Sequence, residues 1–164
     1  MTAEESPLAY AALQKAIARK GRATEKERAF IEALSVRYVE KFDAAKRVEQ
    51  DRAYAEEMRK LSEKYPDDLD AMTLYGDALF LLEPRRGYRD ETQPSVQKLH
   101  QVLEAVLAKD IKHPGACHLY VHATESTKVP GKAAACAEFL GDSIPGASHI
   151  NHMPAHTWTQ LGRW

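Results

Sequence analysis

Two short stretches hold five of the seven histidines in this 164-residue chain. His118-Leu-Tyr-Val-His-Ala-Thr-Glu125 sets two imidazoles and a carboxylate at spacings of four and three residues, and His149-Ile-Asn-His-Met-Pro-Ala-His156 sets three imidazoles at spacings of three and four. At about 100° per residue, His118, His122 and Glu125 fall at about 0°, 40° and −20° around a helix, and His149, His152 and His156 at about 0°, −60° and −20°. Each set is therefore one stripe. Imidazole and carboxylate ligands suit Zn, Fe(II), Mn, Ni or Cu(II), of which Zn, Fe or Cu is the expected cofactor, and the absence of a cysteine pair argues against a thiolate or iron–sulfur site. Two histidines with one acid would leave coordination positions open for water, oxygen or a substrate, whereas a closed set of four would be structural. The spacing leaves both open.

Other chemistries have weaker support. Ser126, Ser143 and Ser148 stand in no nucleophile-elbow context, and there is no glycine-rich phosphate loop. Imidazole is a common axial ligand of haem, but the chain has no Cys-x-x-Cys-His attachment motif. Charges nearly cancel, at 23 basic against 24 acidic residues, so no net field draws the chain to nucleic acid or to an anionic membrane. No apolar run approaches the roughly 20 residues needed to span a bilayer. The opening Met-Thr-Ala-Glu-Glu-Ser-Pro lacks a secretion signal. As written the chain reads as cytoplasmic, although a periplasmic chain whose signal had been removed and a Met restored would look the same. Cys117 and Cys136 are too few for a disulfide framework and sit among small apolar residues, so they are expected as buried free thiols.

The elements that must position these groups are helical from end to end. Ser6-Pro7 starts a first helix that Gly21 ends; Thr24 and Glu27 form a capping box for a second, with Phe30, Ile31, Leu34 and Tyr38 at helical spacing. A third runs over about 44–65 and stops at Pro66, and a fourth covers about 69–83. Residues 84–92 lack periodicity and form a long loop, read as a lid or an insertion, whose Arg85, Arg86 and Arg89 are taken as a solvated basic stretch in preference to an anion clamp. A fifth helix follows at about 94–109, and three short ones at about 115–127, 130–142 and 147–162. No stretch alternates like a strand, so the class is all-α, with about eight helices.

Met72-x2-Tyr75-Gly76-x2-Leu79 has the shape of the tetratricopeptide pattern Trp-x2-Leu-Gly-x2-Tyr. Cys117-x2-Tyr120-Val121 with Ala133-x3-Ala137 and Pro145 repeats it in degraded form. Over about residues 24–164 the chain resembles a tetratricopeptide-repeat (TPR-like) protein, and its histidine-bearing stretches look like a divergent, histidine-rich bacterial subfamily. The resemblance implies one domain over 1–164: N-terminal helices at 1–65, a repeat at 66–112 with the loop 84–92, a repeat at 113–145, and the first helix of an incomplete repeat at 146–164. It implies antiparallel helix pairs stacked as a right-handed superhelix, an α-solenoid with a concave groove.

In such repeats the second, fifth, ninth and twelfth places of the first helix face the groove. The resemblance therefore places Asp77, then His118, His122 and Glu125, then His149, His152 and His156 on one concave face. His118, His122 and His156 rank first as ligands, His152 next, with Asp77 and Glu125 as the carboxylates. His149 comes last, because Pro154 would start the last helix late or kink it and so re-aim that ring. His100 and His113 fall outside the stripe, and Tyr75, Tyr120 and Trp158 fall at packing places. The expected function is a metal-binding helical-repeat protein, and a metalloenzyme that activates water or oxygen where the site keeps an open position. The competing expectation is a scaffold that binds a peptide or protein partner in the groove. An uncapped last repeat implies a longer protein or a homodimer through that end.

Overall fold

The computed structural model describes residues 2–84 and 87–163, so Arg85 and Arg86 of the long loop lie outside the described residues. Among the described residues there is no strand, and eight α-helices alternate with turns. The chain divides at Pro66 into two compact units, 1–66 and 67–164.

The first unit holds α1 (Glu5–Arg19), α2 (Glu25–Leu34) and α3 (Arg47–Lys64). The capping box at the start of α2 forms as expected, with the Thr24 hydroxyl accepting from the Glu27 amide and the Glu27 carboxylate accepting from the Thr24 amide. Tyr54, Met58 and Leu61 on α3 are buried, as is Leu13 on α1. The Arg37 guanidinium sits 4.6 Å from the Tyr54 ring centre, a cation–π contact that covers the buried aromatic.

The second unit carries all seven histidines and comprises α4 (Leu69–Phe80), α5 (Pro94–Lys109), α6 (Pro114–Thr124), α7 (Ala134–Ser143) and α8 (Ser148–Gln160). Each start has a local cause. The Asp68 carboxylate accepts the Ala71 N–H, α5 and α6 begin with proline at the first helical position, and the His113 ring accepts the Ala116 N–H. Consecutive helices pack pairwise, and in addition α4 touches α6 and α6 touches α8. Leu99, Leu103, Val106, Val121, Leu140 and Met153 fill the space between them. Gly76 lets α4 approach α5 closely, since a Cβ there would stand 2.6 Å from Leu103 Cδ2.

Three expectations change here. Cys117 and Cys136 are buried as expected, but they are joined in a disulfide between α6 and α7, with Cα atoms 4.9 Å apart. The sequence placed both in helices without showing that the hairpin would bring those two faces together. The last helix runs unbroken from Ser148 with Pro154 inside it, so His149 keeps its helical position in the first turn. The described part of the loop is not a solvated basic stretch, because Arg89 is buried. No described helix is long and apolar enough to cross a membrane.

Candidate metal centre

The contact between α6 and α8 places five imidazoles and one carboxylate against one another. His118 Nε2 lies 3.0 Å from His149 Nε2, and the Glu125 carboxylate reaches His156 Nδ1. Both contacts span 31 residues. Equal offsets at two points along two helices mean that α6 and α8 run parallel and in register. Between these contacts the His122 Nδ1 stands 2.9 Å from Glu125 Oε1, and beyond them His152 Nε2 stands 3.0 Å from His156 Nε2.

Two groups of three donors could hold a metal ion: His118, His122 and His149, and His122, Glu125 and His156, the donor atoms of each lying within 4.8 Å of one another. The spacing suits coordination. Two nitrogens bound at about 2.0–2.1 Å to one ion stand about 2.9 Å apart at right angles and about 3.3 Å apart at the tetrahedral angle. The 3.0 Å between His118 and His149 falls within that range. The rings also meet edge to face, at 5.0 Å between His118 and His122 and 5.1 Å between His122 and His156.

Protonation favours ligation. Burial, followed by the nearby rings of His122, His149 and His156, pushes His118 down to about 4, so it is a neutral donor at pH 7. Burial pushes Glu125 up, but its hydrogen bonds to His122 and His156 and their charge outweigh that and leave it below its ordinary range. It is a carboxylate at pH 7.

Around the donors the packing is specific. Phe80 of α4 stacks near His122, ring centres 6.2 Å apart. Arg89 donates to the carbonyls of His122 at 3.0 Å and Pro84 at 2.9 Å, and its backbone N–H donates to Ser126 O at 2.8 Å. Its guanidinium also lies 4.8 Å from the Phe80 ring centre. The loop is thereby tied to the C-terminal end of α6, where carbonyls otherwise lack partners and a cation is favoured. A cleft of about 240 Å³ opens beside the second group, lined by Glu125, His152, Ala155, His156, Thr159 and Gln160.

Of the residues singled out in the sequence, His118, His122, Glu125, His149 and His156 meet in the two donor groups, and His152 joins through His156. Asp77 is half-buried on α4 and falls outside both groups. His149, ranked last, is a full member of the first. His100 is buried with Nε2 3.2 Å from Ala123 O, and His113 caps α6 while its Nε2 meets Asp70 at 3.2 Å. The sequence reading missed Phe80 and the anchoring role of Arg89. It also missed Thr159 and Gln160, although they continue the His152–His156 stripe by three and four residues, a signal the sequence carries.

No protein-family model, no curated protein and no solved structure matches this chain. The functional reading therefore rests on the geometry.

Proposed function

We propose that the second unit is a transition-metal site of the His/carboxylate type, built on α6 and α8 and open on one side to the cleft beside His152 and His156. The observation that carries this reading is the register of α6 and α8, which sets donors from two helices at ligand spacing at both ends of one stripe. An ion held by three protein ligands keeps a position for water or a substrate, and a metal there would lower the pKa of bound water or polarise a bound oxygen. This supports a metalloenzyme, with Zn, Fe(II) and Cu(II) as the ions whose ligand preferences match. His118, as a neutral ring, and Glu125, as the charge-balancing carboxylate, are the two groups whose protonation already suits binding.

The same reading carries a finer view of the fold. Direct contacts of α4 with α6 and of α6 with α8, and the close approach of α5 at Gly76, support a tetratricopeptide-like stack of successive first helices. A peptide-binding scaffold is the second reading these neighbouring helices support. The deciding experiment is total metal content by mass spectrometry. It compares protein without a histidine tag, as purified and after incubation with Zn, Fe(II) and Cu(II), with the His118→Ala/His156→Ala double variant. Tightly bound metal in the native protein and almost none in the variant is the expected result. A native protein that stays metal-free after incubation would remove the metal reading and send the search to peptide partners.

A further inference from the structure

The five donors of the two groups are more than one ion of this type takes. Four-coordinate sites with an open position use three protein ligands, and here two triads are present with His122 in both. Distance along the helix sharpens the point. His118 and Glu125 are seven residues apart on α6, as are His149 and His156 on α8, and seven residues rise about 10 Å. The donors at the two ends of the stripe fall in separate groups that share only His122, so a single ion bound through bonds of about 2 Å does not collect them all.

Resting on the metal reading above, we propose that the centre takes two ions, one on His118, His122 and His149 and the other on His122, Glu125 and His156, with the His122 ring shared between them. The geometry of His122 fits the middle position. Its Nδ1 faces Glu125 Oε1 at 2.9 Å, which assigns that nitrogen to the second triad and leaves Nε2 for the first. Its ring centre stands 5.0 Å from His118, 6.1 Å from His149 and 5.1 Å from His156. A ring bound through both nitrogens has lost both N–H protons, so loading the second ion releases one more proton to solvent and leaves an imidazolate between the two. The negative charge of that bridge is the only ligand charge on the first ion, whose other donors are neutral rings. The second ion also has the Glu125 carboxylate and faces the cleft lined by Thr159 and Gln160, so the substrate-binding end is the second triad. His152 holds His156 from the cleft side through the 3.0 Å contact between their Nε2 atoms.

The test is the zinc stoichiometry of the full chain, stripped with chelator, reloaded with Zn(II) alone and desalted, with circular dichroism as the check on fold. Two equivalents are expected in the native chain, one each in His149→Ala and Glu125→Gln, and none held tightly in His122→Ala. A native chain that binds one equivalent would overturn the pair of ions while leaving the single-ion reading intact. Two equivalents retained by both His149→Ala and Glu125→Gln would place the ions elsewhere and also overturn it. No zinc in the native chain would remove both readings. Native stoichiometry and the His149→Ala and Glu125→Gln variants decide the matter even where His122→Ala fails to fold.

Discussion

The histidines of the second unit fall into two regions that differ in what their nitrogens do. His100 and His113 spend theirs on the fold. One bonds a backbone carbonyl inside the core and stands edge-on to Tyr120 at 5.8 Å, and the other accepts an N–H at the start of α6 and meets Asp70. The five rings between α6 and α8 spend theirs on one another and on Glu125. A neutral imidazole has one donor and one acceptor nitrogen, so rings that face rings satisfy each other only in part. The fold gains little from such crowding, and the arrangement makes physical sense when a cation supplies what the rings lack. Burial alone does not make a histidine structural; the identity of its partner does.

The sharpest break of this comparison is to exchange the consequences of the two regions. His122→Ala, which removes the ring common to both triads, is expected to weaken metal binding by about 100-fold or more, a change of about 2.7 kcal/mol. The unfolding midpoint of the metal-free protein should hardly fall. His100→Ala should do the reverse: about 2 kcal/mol of stability lost through the cavity and the abandoned Ala123 carbonyl, with metal content intact. Isothermal titration with Zn(II) and urea unfolding followed by circular dichroism read the two quantities. Equal effects of both variants on both readouts would erase the distinction.

How much of this was legible in the sequence depends on the range of the interaction. Helices and their starts were readable because their causes are local: the Thr24–Glu27 capping box forms as read, and Pro94 opens α5 at the position expected. The stripe of donors was readable too, because helical periodicity fixes which side chains share a face. The pairing of His118 with His149 was not readable from either stripe alone, since it depends on the register between two helices. Pro154 misled for a related reason. Its ring costs one hydrogen bond to the preceding turn, but packing of Met153 and Thr157 on either side, both buried, holds the helix through it. The disulfide and the burial of Arg89 likewise come from tertiary proximity, which no local pattern announced.

Arg89 offers a finer probe of how the loop serves the donor region without contributing a ligand. Arg89→Met keeps much of the apolar stem but removes the donors to the His122 and Pro84 carbonyls. Because supporting residues of metal sites affect affinity by roughly 10–100-fold, the expected loss is about tenfold, the low end, since Arg89 bonds the backbone of His122 and not its ring. Stability should fall as well, through the freed carbonyls. Titration calorimetry at fixed pH would show the affinity change. A variant that loses stability yet binds metal with native affinity would mean that the loop braces the fold alone.

A pH dependence of the metal-free protein is also expected, and within the donor region it is carried by His118. In the folded state His118 is held at about 4 against an ordinary 6.5, first by burial and then by the neighbouring rings. The unfolded chain thus takes up this proton more readily than the folded one. The stability linked to His118 is then fully present above pH 6.5 and is lost as pH falls from 6.5 through 4. Urea midpoints of the metal-free protein measured across that window should decline toward acid. His118→Ala should flatten part of the decline while leaving the midpoint at pH 8 nearly unchanged, whereas a His118→Ala profile parallel to the native one would show that this ring is not held neutral by burial and its neighbours. Bound metal should suppress the same dependence, because an occupied nitrogen cannot take the proton until the ion leaves.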